Sequence, residues 1–144
     1  MVGKLRLYLN TDVLLSLLEG QEAGSAKLGE NVARLLHQAA DGKYQVLVSE
    51  HTARELLAVG VPREYLDQVL RPMLLFGGND LLLVNEDIVR GALKAYRQYE
   101  MPFFVALHMV FTQRNNALLV TRDKTIALAA REKCGVMAPE DLLA

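Results

Sequence analysis

Short apolar runs alternate with longer amphipathic stretches along this chain. Residues 5–9, 44–48, 81–84 and 117–120 are nearly unbroken apolar runs, and residues 135–138 form a shorter fifth. Runs of this length suit strands of a parallel sheet covered on both faces. The stretches between them carry helix start and stop signals. Ser49 is placed to cap a helix running to Val59, and Asn85 to cap another, with Glu86 and Asp87 in its first turn. Pro62 and Pro102 suit helix starts, while Pro72 is expected to break or end the helix that contains it. Arg131 and Lys133 read as a last turn, with Gly135 as the stop. Asp41-Gly42 and Gly77-Gly78-Asn79 read as turns, and residues 20–29 as a polar, Gly-rich connection expected to be mobile. The alternation predicts one α/β domain over residues 1–144, built on a parallel sheet of four to five strands.

Composition narrows the class. The chain has 144 residues, 51% of them hydrophobic, enough for a full core and against disorder. A net charge of −1 gives no basic excess for sequence-independent binding to duplex DNA. The single cysteine, Cys134, excludes a disulfide framework and a Cys-based metal site within one chain. It fits a reduced, cytoplasmic setting. The first residues run straight into an apolar strand with no signal-peptide pattern, and no apolar stretch has the length of a membrane span. No phosphate-binding glycine loop and no Gly-x-Ser-x-Gly is present.

In parallel α/β sheets ligands bind beyond the carboxyl ends of strands, where the strand order reverses. The first run is followed by Asn10, Thr11 and Asp12, and the second by Ser49 and Glu50, with Glu55 farther along the helix. The fourth is followed by Thr121, Arg122, Asp123 and Lys124. Carboxylates converging at strand ends suit a hard divalent cation such as Mg²⁺, which takes oxygen ligands and keeps several waters. Such ions activate water and stabilise the leaving oxygen in phosphodiester cleavage.

Four fragments in order resemble the PIN domains, small α/β metal-dependent nucleases that include many toxins of toxin–antitoxin pairs. They are Leu9-Asn10-Thr11-Asp12, the segment from Ser49-Glu50 to Glu55-Leu56-Leu57, Val105-Ala106-Leu107-His108, and Leu119-Val120-Thr121-Arg122-Asp123-Lys124. The resemblance implies a three-layer α/β/α sandwich with strand order 3-2-1-4-5, which sets the first and fourth strands side by side. It also implies hydrolysis of single-stranded RNA with Mg²⁺ or Mn²⁺, homodimerisation, and an antitoxin or other protein as partner.

Carried over by position, the family's four acids become Asn10, Glu55, Val105 and Asp123, so two carboxylates are gone. One charge pair at ~4 Å and an effective dielectric of ~20 is worth ~4 kcal/mol, so losing part of that twice weakens cation binding severely. Asp12 offers a replacement. It either serves the N-terminus of its own helix or turns to the cleft and rebuilds a catalytic, metal-holding set with Glu55 and Asp123. Thr11 and Thr121 would support that set, and Arg122 and Lys124 flank its mouth as candidate RNA contacts. The expected outcome is a domain with weak or lost nuclease activity that binds RNA or protein; the alternatives are an active endoribonuclease and a pure interaction module. His108, on an almost wholly apolar helix, reads as a hydrogen-bonded core histidine, and His37 and His51 match no metal spacing. Arg90, Lys94 and Arg97 share a helix face that reads as solvated, opposite Ile88, Ala92, Ala95, Tyr96 and Tyr99.

Overall fold

A computed structural model describes residues 4–18, 26–77 and 81–143. In chain order the elements are β1 (Leu5–Leu9), α1 (Thr11–Leu18), α2 (Ala26–Ala40), β2 (Tyr44–Leu47), α3 (Glu50–Ala58) and α4 (Arg63–Gly77). They continue with α5 (Glu86–Tyr99), α6 (Phe103–Arg114), β3 (Leu118–Val120), α7 (Lys124–Ala130), β4 (Val136–Met137) and α8 (Pro139–Leu143). The four strands form one sheet in the order β2-β1-β3-β4. All pairings are parallel, with Leu7 of β1 opposite Val46 on one side and Leu118 on the other.

Alternation along the strands sorts two cores. Leu7, Leu9, Val46 and Val120 face one side, packed with buried residues of α1, α2, α3, α4 and α8. Tyr8, Leu47 and Leu119 face the other, packed with α5, α6 and Ala130 of α7. Helices on both faces complete the expected α/β/α sandwich, because strands apolar on both sides need cover on both. α6 is buried almost all round, from Ala106 to Thr112, which explains its lack of an amphipathic pattern.

The third apolar run is reduced to one parallel bridge, Ser49 with Leu82. Leu82 N–H donates to the Val48 carbonyl (3.0 Å) and Glu50 N–H to the Leu82 carbonyl (2.8 Å). Pairing stops there because Glu50 Oε1 takes the next available donor, Val84 N–H (2.5 Å), and Asn85 already caps α5 through Ile88 N–H. Counting that bridge, the five runs lie in the order 3-2-1-4-5.

Other expectations need correction. Pro72 does not end its helix, since α4 runs through it to Gly77. Pro72 is exposed while Leu66, Leu70 and Met73 are buried, so core packing on both sides of the proline holds the helix across one missing hydrogen bond. Residues 26–29 of the expected Gly-rich connection are the first turn of α2, while its residues 20–25, like the Gly78-Asn79 turn, lie outside the described residues. α7 ends at Ala130, so Arg131 and Lys133 lie beyond it. Tyr96 and Tyr99 are 49% and 43% exposed rather than on the buried face of α5.

Candidate functional site

Asn10, at the end of β1, is buried, and its Nδ2 donates to Asp12 Oδ1 (2.6 Å). Asp12 takes two further bonds, from Thr121 Oγ1 to Oδ1 (2.8 Å) and from Arg122 N–H to Oδ2 (2.8 Å). Its carboxylate therefore ties the β1–α1 junction to the loop after β3. Asn10 Oδ1 is buried and makes no hydrogen bond.

Asp123 caps α7: its Oδ1 accepts from the N–H groups of Thr125 (2.9 Å) and Ile126 (3.1 Å). Thr121 Oγ1 also accepts from Asp123 N–H (3.1 Å), holding the loop. The Arg122 guanidinium forms a two-pronged pair with Glu140 (both 2.7 Å) and donates to Ser16 Oγ and the Leu28 carbonyl (both 2.8 Å). The hydrogen bonds from Arg122 hold the Glu140 carboxyl below its usual range. Lys124 is exposed. Val105 is half-buried at the edge of the second core and brings no ligand atom.

Glu55 lies elsewhere in the cleft, among histidines. Its Oε1 accepts from Thr11 Oγ1 (2.6 Å), meets His108 Nε2 at 2.5 Å and lies 3.5 Å from His51 Nε2. Burial raises its pKa, but the bonds from His108 and Thr11 and the two imidazoles outweigh that, so the carboxyl titrates below its ordinary value. His108 Nδ1 meets the Tyr8 hydroxyl at 2.7 Å, and Tyr8 meets Ser49 Oγ at 2.7 Å. Ser49 Oγ in turn accepts Thr52 N–H (3.2 Å), the cap of α3. Burial, the largest influence, lifts the Tyr8 phenol far above its usual pKa, so it stays a hydroxyl. His108 is the hydrogen-bonded core histidine the sequence suggested, and it is also part of the site.

His51, 6% exposed, was not singled out by spacing. It stands one helical turn before Glu55, stacks on Phe104 (ring centroids 5.5 Å) and meets the tilted His108 ring on another side (4.5 Å). Desolvation first, then the neighbouring His108, lowers its pKa, which favours the neutral ring. His51 Nε2 is buried and makes no hydrogen bond. Beside it opens a cavity of about 540 Å³ whose lining includes His51, Glu55, Val59, Val84, Phe104 and Leu107. Val59 and Phe104 are 63% and 62% exposed there, which makes the mouth apolar.

Among the described residues, one group of acidic, His or Cys side chains brings ligand atoms within 4.8 Å of one another and could hold a metal ion: His51, Glu55 and His108. Asp12, Glu55 and Asp123 do not gather in this way. With Asp12 and Asp123 directed to protein donors, that set does not fit a shared Mg²⁺ or Mn²⁺ in the observed arrangement. A signal for the gathered group does exist in the sequence. His51 and Glu55 are at i, i+4, and His108 closes the Val105-Ala106-Leu107-His108 fragment that carries the family resemblance.

The PIN domain family model matches residues 7–132. Among solved structures the chain is similar to FitAcB from Neisseria gonorrhoeae (TM-score 0.65, 18% identity, 93% of this chain and 98% of that one). It is also similar to a toxin–antitoxin complex from Klebsiella pneumoniae (0.61, 17%, 92% and 97%). A third is PAE2754 from Pyrobaculum aerophilum (0.52, 13%, 97% and 95%). No curated protein matches the chain at a significant level. At these identities the structural likeness shows the fold alone. The family match runs from β1 past the end of α7, across most of the chain, and the chain therefore belongs to the PIN domain family.

Proposed function

We propose that this protein keeps the PIN scaffold but has given up Mg²⁺- or Mn²⁺-dependent RNA cleavage, and that it acts by binding a protein partner. The observation that carries this is the fate of the acids. Val105 supplies no ligand atom, Asn10 is neutral, and both oxygens of Asp12 receive protein donors. A carboxylate already satisfied by three donors has little reason to leave them for a cation. The partner reading draws on the apolar mouth formed by Val59 and Phe104, and on the toxin–antitoxin complex among the similar structures. RNA contact has less support: Arg122 is paired with Glu140 and only Lys124 of the two expected contacts is free-standing in solvent.

A second reading is an active toxin-type endoribonuclease using Asp12, Glu55 and Asp123. It draws on Asn10 Oδ1, a buried oxygen with no donor beside Asp12, which a hard cation would satisfy. An assay with single-stranded RNA and Mn²⁺ separates the two. The proposal expects the wild type to cleave no faster than Asp12→Ala or Glu55→Ala. Robust metal-dependent cleavage that both substitutions abolish would overturn it.

A further inference from the structure

We propose that His51, Glu55 and His108 form a binding site for a transition-metal ion of the zinc class. The inference does not depend on whether RNA is cleaved. It starts from a buried nitrogen with nothing to bond: His51 Nε2 is enclosed, makes no hydrogen bond, and faces Glu55 Oε1 at 3.5 Å. In a protein interior such a lone atom costs free energy unless something satisfies it. His51, Glu55 and His108 each bring one ligand atom to within 4.8 Å of the others, and His108 Nε2 itself meets Glu55 Oε1.

Zn–N and Zn–O distances near 2 Å in a tetrahedral site set neighbouring ligand atoms about 3.3 Å apart. The His51–Glu55 separation of 3.5 Å already suits that spacing. The His108–Glu55 contact of 2.5 Å is a direct hydrogen bond and must open by less than an ångström as the ion replaces the shared proton. Two imidazoles and one carboxylate favour Zn²⁺, Co²⁺ or Ni²⁺ over Mg²⁺, which prefers oxygen ligands throughout. Three protein ligands leave a fourth position, and the adjacent cavity gives it solvent and access.

The surroundings behave like the outer shell of a metal site. Thr11 Oγ1 donates to Glu55 and orients the carboxylate. The Phe104 ring stacks on His51 (ring centroids 5.5 Å). Behind His108 stands Tyr8, whose hydroxyl can donate to Nδ1 or accept from it. With the proton on Nε2, the chain runs Ser49 to Tyr8 to His108 to Glu55. With a metal on Nε2 the ring carries its proton on Nδ1, donates to Tyr8, and Tyr8 donates to Ser49. The hydroxyls need only rotate, so the same residues support both forms of the ring.

The test is a titration of the folded, chelator-treated full chain with Zn²⁺ and with Co²⁺. One ion per chain is expected, with visible Co²⁺ absorption of low coordination number that Zn²⁺ abolishes, and a rise in melting temperature. His51→Gln is the informative variant, since the replaced Nε2 makes no hydrogen bond and the fold should survive. It should bind at least about tenfold more weakly, the loss expected even of an outer-shell partner. His37→Gln, on the exposed His37–Asp41 pair, should bind as the wild type does. The proposal fails if the folded wild type takes up no stoichiometric Zn²⁺ at about tenfold excess, a level that fills any site of useful affinity. It fails equally if His51→Gln binds unchanged, or if His37→Gln loses the ion.

Discussion

Burial sets the terms for His51. Its ring is packed against Phe104 and His108, near Glu55 and Arg54, and its pKa lies below the ordinary value of 6.5. An unfolded chain takes up a proton there at a pH where the folded chain refuses it, so stability falls as the pH drops through the region just below 6.5. Glu55 acts in the same direction lower down. Its folded pKa lies below its ordinary 4.5, so its contribution is present above that value and is lost as the pH falls through the depressed one. Metal-free protein should therefore lose melting temperature on acidification in two steps, and His51→Gln should flatten the upper step alone. Melting curves between neutral and acid pH read this directly; an unchanged upper step in the variant would remove His51 as its source. The sequence sets Thr11 and Glu55 beyond strand ends and reads His108 as a core histidine, and the fold brings the three together around Glu55 Oε1. It could not assign Asp12, because its three partners come from a neighbouring residue and from a loop more than a hundred positions away. His51 stayed hidden for a similar reason: a lone i, i+4 pair acquires meaning only when a third side chain arrives from another helix.

At the scale of elements, local signals located the starts of α3, α4, α5 and α6, because capping is short-range. Ser49, Asn85 and Asp123 each accept backbone N–H groups at the start of α3, α5 and α7. What local signals missed was decided by packing. Residues 81–84 look as strand-like as any run in the chain, yet just beyond Leu82 the Glu50 side chain takes the Val84 N–H and Asn85 caps α5 through Ile88 N–H. Pro72 is a helix breaker by propensity, yet α4 continues because Leu66, Leu70 and Met73 are anchored. An exposed proline inside a helix costs about 3 kcal/mol relative to alanine, so Pro72→Ala should stabilise the protein by about 1–3 kcal/mol, less any gain in unfolded-chain freedom. Urea denaturation measures it. A destabilised variant would mean that α4 depends on a kink at Pro72.

Across the whole molecule, β1 is the organising strand. It lies inside the sheet, flanked by β2 and β3, and its end carries Asn10 and Thr11 into the cleft. Tyr8 reaches from its second face to Ser49 and His108. Both cores and the candidate site therefore share a strand of five residues. That arrangement has a consequence for how the protein is made. Leu7 and Leu9 pair on one side with Leu118 and Val120, which leave the ribosome long after β1 does. Until then β1 presents an open edge, flanked by β2 alone. A nascent chain released before residue 117 should lack protease-resistant structure, whereas one extended beyond β4 should acquire it in a single step. Proteolysis of stalled chains of graded length would show this, and early protection of β1 would count against it. β1 is thus translated before the strands that flank it yet is among the last to be completed, so synthesis of this domain must be followed by closure of the sheet rather than accompanied by it.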